Sequence, residues 1–200
     1  MSITVAPVGN SRILSVGTYR PKRVVPNSEI VDRIDSTDEW IVQRTGIESR
    51  RFAGDDETVI SMAKAACEIA LKRAKLTIAD IDTVILSTIS YPFQAPSAAT
   101  ELINELGNPK AAAFDISAAC AGFCYGVAMG SDLVRSGTSK NVLVIGVEKL
   151  SDYTDPDDRA TAFIFADGAG AVVIGQSDQP RIGQTIWGSD ADSRDAITLT

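Results

Sequence analysis

Short apolar runs and longer amphipathic stretches take turns along this chain. Residues 12–17, 83–87, 111–114 and 141–146 read as strands, the last three as buried ones, because each is a brief apolar run closed by turn or polar residues. Residues 57–75 read as a helix whose stripe is Val59, Met62, Ala63, Ala66, Ile69 and Ala70, with Cys67 on or beside it as core. A second helix covers 96–106 and is stopped by Gly107-Asn-Pro109. A shorter one is capped by Thr37, has acids in its first turn and Arg44 near its end, and stops at Gly46. Asn27 or Ser28 caps a turn of helix through Asp32. Residues 47–52 suit an edge strand, and 20–26 and 91–96 are proline-bearing loops. Residues 152–159 form an acidic loop. Apolar runs at 162–166 and 169–174 are split by Asp167-Gly168, and 182–187 is a last strand in a polar tail. Strands alternating with helices predict an α/β fold with a mostly parallel sheet covered on both faces.

One stretch departs from ordinary helix composition. Asp115 to Gly126 joins the 111–114 strand to a helical pattern that runs to about Arg135 and is closed by Ser136-Gly137. Cys120 falls where strand gives way to helix. Unpaired backbone N–H groups and the positive end of the helix dipole favour a thiolate there, and the thiolate is the nucleophile. A free cysteine is also often a small buried hydrophobe, and residue types alone leave both readings of Cys120 open. Ala118, Ala119, Ala121 and Gly122 keep the spot open to close approach. Gly122, Gly126 and Gly130 form one stripe, each costing about 1 kcal/mol of helix propensity against alanine. A second backbone packed on the stripe is expected to offset that cost. With Phe123, Val127, Leu133 and Val134 on its other sides, this reads as a central helix covered above and below.

Composition narrows the chemistry. The chain has 200 residues, 44% of them apolar and 22% charged, which fits a globular domain with a real core. No apolar run is long enough to span a membrane, and residues 1–10 lack a signal-peptide pattern. Three cysteines do not make a disulfide scaffold, so a reducing, cytoplasmic setting is expected. A net charge of −7 disfavours nucleic acid as a partner. The absence of histidine removes the commonest general base and the commonest zinc ligand, so neither a Cys–His dyad nor a metal site is expected within these residues. Gly168-Ala-Gly170 lacks a third glycine and is followed by an apolar strand, which excludes a dinucleotide loop.

Trp40 and Arg44 are four apart, on one helical face. A ring beside a guanidinium suits a purine and its phosphates, and equally a half-buried Trp with an Arg lying over it.

Four stretches carry a resemblance that changes the picture: Thr37-Asp-Glu-Trp-Ile-Val-Gln-Arg-Thr-Gly-Ile47, residues 115–123, Asp155-Pro-Asp-Asp-Arg159 and Phe165-Ala-Asp-Gly-Ala-Gly-Ala171. Taken together, the chain resembles β-ketoacyl-acyl-carrier-protein synthase III of the thiolase superfamily, over roughly the N-terminal three-fifths of that family's usual length. The resemblance implies a thiolase-like αβαβα layered sandwich. Residues 1–175 would supply the N-terminal half with the nucleophile helix, and 176–200 the start of the second half. It implies an acyltransferase that condenses an acyl-CoA starter with malonyl-acyl carrier protein through a cysteine acyl-enzyme, to initiate fatty acid synthesis. Cys120 would be the nucleophile, and Trp40 and Arg159 would hold the adenine of coenzyme A, with Ser36 and Arg44 close by. The loop around Phe93 and Ala95 would shape the acyl pocket across a homodimer interface. The family's histidine and asparagine would lie beyond Thr200, so the 200 residues alone would be inactive. No cofactor is implied, since the coenzyme A thioester is a substrate. Cys124 is expected to be core. A polyketide starter-unit synthase, a plain acyltransferase of the same fold and a non-catalytic binding or dimerisation fragment remain alternatives.

Overall fold

The computed structural model describes residues 8–193. Its framework is a five-stranded sheet in the order β1 (Asn10–Tyr19), β7 (Asp167–Ser177), β6 (Asn141–Lys149), β4 (Thr83–Ser87), β5 (Ala112–Ile116). β4 runs parallel to both β5 and β6, but β7 is antiparallel to β6 and to β1. The sheet is therefore mixed rather than mostly parallel. A parallel neighbour needs a crossover, and the connection from β6 to β7 carries no long helix, so the chain folds straight back. β7 also begins at Asp167 itself. The 162–166 run is a series of turns instead of a second strand.

Helices cover both faces. α2 (Val59–Ala74) and α3 (Ala98–Leu106) pack on one side, around Val84, Leu86, Leu143, Ile145 and Val173. α4 (Gly122–Arg135) lies on the other, against Ile85, Val142, Val144, Val172 and Ile174. The alternation of inward residues along β4, β6 and β7 feeds both cores, which is why these strands read as continuous apolar runs. α2 starts in a capping box between Thr58 and Ser61. It approaches β1 so closely that a Cβ on Gly17 would strike the backbone at Ala66 and Ala70. Ile69, expected in its stripe, is 36% exposed, whereas Leu71 is buried. α3 lies against that flank, where Lys64 pairs with Glu105, and draws the buried arc towards Cys67 and Leu71.

A satellite cluster sits beside the sheet. β2 (Arg23–Pro26) pairs with β3 (Ser49–Phe52), and α1 (Asp38–Thr45) closes over them around Val25, Ile34, Ile41 and Phe163. β2 was expected as loop. Its partner strand converts a proline-flanked segment into a ribbon. α1 has the expected ends: Thr37 accepts from the Trp40 N–H, and Gly46 is left-handed at φ 71°. Asn27 caps nothing. It is buried, donates to Asp38 Oδ1 (2.7 Å) and the Ile47 carbonyl (2.8 Å), and accepts from Arg50 (2.5 Å).

Two further expectations are corrected. The glycine stripe of α4 faces side chains of the sheet, not another backbone: Gly126 meets Val144 and Ile85, and Gly130 meets Ile174, Val144 and Val142. Among the described residues the sheet covers α4 on that side, and Phe123, Val127 and Leu133 are only half-buried. Residues 182–187 form no strand. They run along α4, where Trp187 meets Tyr125 edge-on at 5.3 Å. The expectations resting on residues 1–7 and 194–200 lie outside the described residues.

Candidate active site

One edge of the sheet gathers the candidate chemistry. β4, β5 and β6 are parallel, and β1 points the same way because it is antiparallel to β7, itself antiparallel to β6. The segments leaving their carboxyl ends carry Ser36, Trp40 and Arg44 after β1, Phe93 and Ala95 after β4, Cys120 after β5 and Arg159 after β6. Ligands of open α/β sheets bind outside this edge.

Cys120 lies in the single 3-10 turn Ala119–Ala121 between β5 and α4. Ala119, just before it, is left-handed at φ 43°, a strained conformation for a residue with a Cβ and one that clusters at functional sites. The turn is held from below by Gly122, where a Cβ would collide with Ser87 Oγ. Any larger residue there would force the Ser87 hydroxyl aside, so the glycine lets the helix begin close to β4. Cys120 is exposed, beside a cleft of about 390 Å³ lined by Ser87, Ala119, Phe123, Gly146, Glu148 and Gly168. Cys67 is sealed in the core, and burial pushes its thiol well up from the usual range. Cys124 is exposed and not core, because it projects from the face of α4 that the sheet does not cover.

Trp40, Arg44 and Arg159 come together. The Arg44 guanidinium lies 4.2 Å and that of Arg159 5.6 Å from the Trp40 ring centroid. Phe163 meets the ring edge-on at 5.4 Å. Arg159 donates to the Asp35 carbonyl and to Asp35 Oδ2 (3.3 Å), and Asp35 is held at φ 47° to present both. Ser36, the next residue, has a buried hydroxyl without a partner among the described residues. Behind the cluster is a residue that no local pattern singles out. Arg50 is 4% exposed and bonds three oxygens, the Val25 and Phe163 carbonyls (3.2 Å each) and Asn27 Oδ1. Among the described residues no carboxylate pairs with it, and burial lowers its pKa. A charged residue in a short, polar-looking strand gave no sign of burial. The four coenzyme candidates therefore form one group in the satellite cluster, while Cys120 belongs to the sheet.

The 91–96 loop is exposed, Phe93 at 63%. Its stems are held by carboxylates. Asp115 of β5 accepts from the Ala98 and Ala99 N–H groups at 2.7 and 2.8 Å and so caps α3 alongside Ser97. Glu148 of β6 accepts from the Ile89 N–H (3.0 Å), Thr88 Oγ1 (3.2 Å) and Ser90 Oγ. Burial pushes the Glu148 carboxyl above its ordinary range, against the pull of those donors. Tyr91 Oη donates to Glu101, and desolvation together with that bond raises the phenol to about 12. Glu148 was missed because its partners are 58 to 60 residues away in sequence.

A three-layer αβα arrangement, with a cysteine-bearing turn at the carboxyl edge and a helix open on its far face, is the thiolase-like class of α/β fold. Residues 114–191 match the family model for 3-oxoacyl-[acyl-carrier-protein] synthase III. The β-ketoacyl-[acyl-carrier-protein] synthase III 1 of Streptomyces avermitilis is 54% identical over 190 residues, 95% of this chain and 54% of that protein. The priming β-ketosynthase of the R1128 polyketide pathway superposes with a TM-score of 0.94 at 45% identity, over 96% of this chain and 58% of that one. The 3-oxoacyl-[acyl-carrier-protein] synthase III of Aquifex aeolicus gives a TM-score of 0.82 at 43% identity, over 85% and 55%. Over the part it spans, the chain is similar in sequence and fold to 3-oxoacyl-[acyl-carrier-protein] synthase III enzymes, and it covers about half the length of the curated relatives it matches.

Proposed function

We propose that the protein condenses an acyl-CoA starter with malonyl-acyl carrier protein, and that Cys120 is its acyl-accepting nucleophile. The observation that carries this reading is the exposed Cys120 on a strained turn at the carboxyl edge of the sheet, while Cys67 is sealed away. Cys120 Sγ attacks the thioester carbonyl, the C–S bond to coenzyme A breaks, and the coenzyme leaves as its thiol. Backbone N–H groups of the turn before α4, including that of Cys120, would hold the developing oxyanion. Decarboxylation of the malonyl group gives a carbanion that attacks the acyl carbon, and Cys120 is released. The family resemblance implies a histidine and an asparagine for this second step, and no histidine is among these 200 residues. Residues 176–200 are read as the beginning of the second half that the same resemblance implies.

Trp40, Arg44, Arg159 and Ser36 would bind the nucleotide of coenzyme A. The ring offers a stacking face, the guanidiniums offer charge to phosphate, and the Ser36 hydroxyl is free to pair. Phe93 and Ala95 would meet the acyl chain across a homodimer interface. A soluble cytoplasmic setting belongs to the same reading. Among the described residues no helix is long and apolar enough to cross a membrane, and no cluster of three metal-ligating side chains occurs.

The decisive experiment incubates the protein with acyl-CoA and maps the adduct by mass spectrometry. One acyl group on Cys120 is expected; an adduct elsewhere, or none, overturns the assignment. The likeness to the R1128 priming ketosynthase favours a second reading, a polyketide starter-unit synthase. Product analysis with carrier proteins of the two pathways separates them.

A further inference from the structure

We propose that Glu148 is a positioning residue that sets acyl-chain preference by fixing the stem of the 91–96 loop to the strand leading into the coenzyme-binding segment. The inference rests on the reading that this loop lines the acyl pocket.

Glu148 stands next to last in β6. From there it takes hydrogen bonds from three consecutive residues, Thr88, Ile89 and Ser90, which form the whole passage from β4 to the loop. Ser90 Oγ closes the link by accepting from the Lys149 N–H at 2.8 Å. Lys149 continues it: its ammonium meets the Gly54 carbonyl at 3.3 Å and Asp152 Oδ2 at 3.5 Å. Ser151 is tied in turn to Asp167, which also receives the Ala53 N–H. The segment so anchored runs on to Arg159. One carboxylate thus joins the loop that carries Phe93 and Ala95 to the segment that carries the guanidinium beside Trp40. The far stem is fixed separately by Asp115. With both stems held, the loop residues between them keep one position. With Glu148 neutralised, one of its two oxygens becomes a donor group facing donors, and with it removed the near stem loses its acceptor; the far stem stays held and the loop pivots about α3. A half-buried carboxylate meeting only donors is costly to place, and the bonds from Thr88, Ile89 and Ser90 offset that cost in a way no apolar residue could.

The test uses the protein at the full length its gene encodes, and the ratio of kcat/KM for hexanoyl-CoA to that for acetyl-CoA. A ratio is insensitive to the fraction of folded enzyme. Glu148→Gln should change it about tenfold, with Glu148→Asp recovering part of the change. Ala95→Phe serves as the control for the pocket reading. If Ala95→Phe shifts the ratio and Glu148→Gln does not, this inference falls and the pocket reading stands. If neither shifts it, the pocket reading falls and takes the inference with it. A shift from Glu148→Gln alone overturns the route through the loop. Should Glu148→Gln fail to fold, Ser90→Ala removes one of its donors and decides in its place by the same ratio. Independently of turnover, the Ile89 amide should exchange about tenfold faster in Glu148→Gln; unchanged protection sinks the proposal.

Discussion

At the scale of single residues, environment separates groups that composition treats alike. Three cysteines share one side-chain chemistry, yet one is sealed in the core and two are exposed. Iodoacetamide should therefore modify Cys120 in native protein while Cys67 stays intact, because burial holds the Cys67 thiol protonated and out of reach. Mass spectrometry of the tryptic peptides checks this, and labelling of Cys67 at a comparable rate would show that the helix packing is not as described. Acyl transfer is the stricter measure, since Cys124 is exposed but lies in the first turn of α4, past the strained turn at Ala119. Arg50 makes a different point. Replacing it by Met leaves the Val25 and Phe163 carbonyls and Asn27 Oδ1 without their donor, which should cost about 3 kcal/mol or more in urea unfolding. It should also weaken acyl-CoA binding, because Phe163 backs the Trp40 ring. A variant as stable as the parent would mean that water replaces the guanidinium.

At the scale of elements, two features decide how closely the layers approach. Gly17 lets β1 meet α2, and the clash a Cβ would make there is with main chain, which cannot swing aside. Gly17→Ala should destabilise the fold by about 2 kcal/mol or more, seen as a lower urea midpoint with unchanged slope. Glu57 fixes the turn that leads into α2. It accepts from Tyr19 Oη at 2.5 Å and from the Gly54 and Lys22 N–H groups, and these bonds, led by that from Tyr19, lower its pKa below the ordinary 4.5. The carboxylate form is the one favoured by folding, so this stabilisation is fully present above about pH 4.5 and is lost as pH falls through the depressed folded value. Glu57→Gln should accordingly lower stability at pH 7 by on the order of 1–2 kcal/mol, and the gap to the parent should close towards acid pH. A gap independent of pH would assign the loss to packing.

The same elements show what the sequence alone could convey. Local signals were sufficient for α1, whose Thr37 cap and Gly46 stop are both short-range, and for β4, where every residue is buried. They failed where a partner far along the chain decides the outcome. β2 becomes a strand because β3 lies beside it, and Asn27 gives up capping because Arg50 and Asp38 claim its amide. The direction of β7 depends on the absence of a crossover helix rather than on its own residues. In the site, Trp40 and Arg44 were legible as an i,i+4 pair, and the helix-start placement of Cys120 as a strand–helix junction. Arg159 joined them only through the family resemblance, and Glu148 had no local mark at all.

At the scale of the whole molecule, α4 is the feature that reaches beyond these residues. Its glycine face is satisfied by the sheet, but Phe123, Val127 and Leu133 are half-buried, and Ile186 and Trp187 lie 96% and 54% exposed beside it. An apolar patch of this kind on a helix that already has one packed face calls for a second layer. We predict that a protein consisting of residues 1–200 alone forms no ketoacyl product from acyl-CoA and malonyl-acyl carrier protein. Carbanion formation needs donors placed to stabilise the developing enolate, and these residues include no histidine. The same 200-residue protein should associate at micromolar concentration, because the open face of α4 finds another copy in place of its own second layer. Light scattering and product analysis on one preparation check both statements. The two failures have different causes and can be told apart: Phe123→Ser with Val127→Ser should reduce association without restoring condensation. A monomeric 200-residue protein that condenses its substrates would overturn the assignment of the site as well as the two-layer reading of α4.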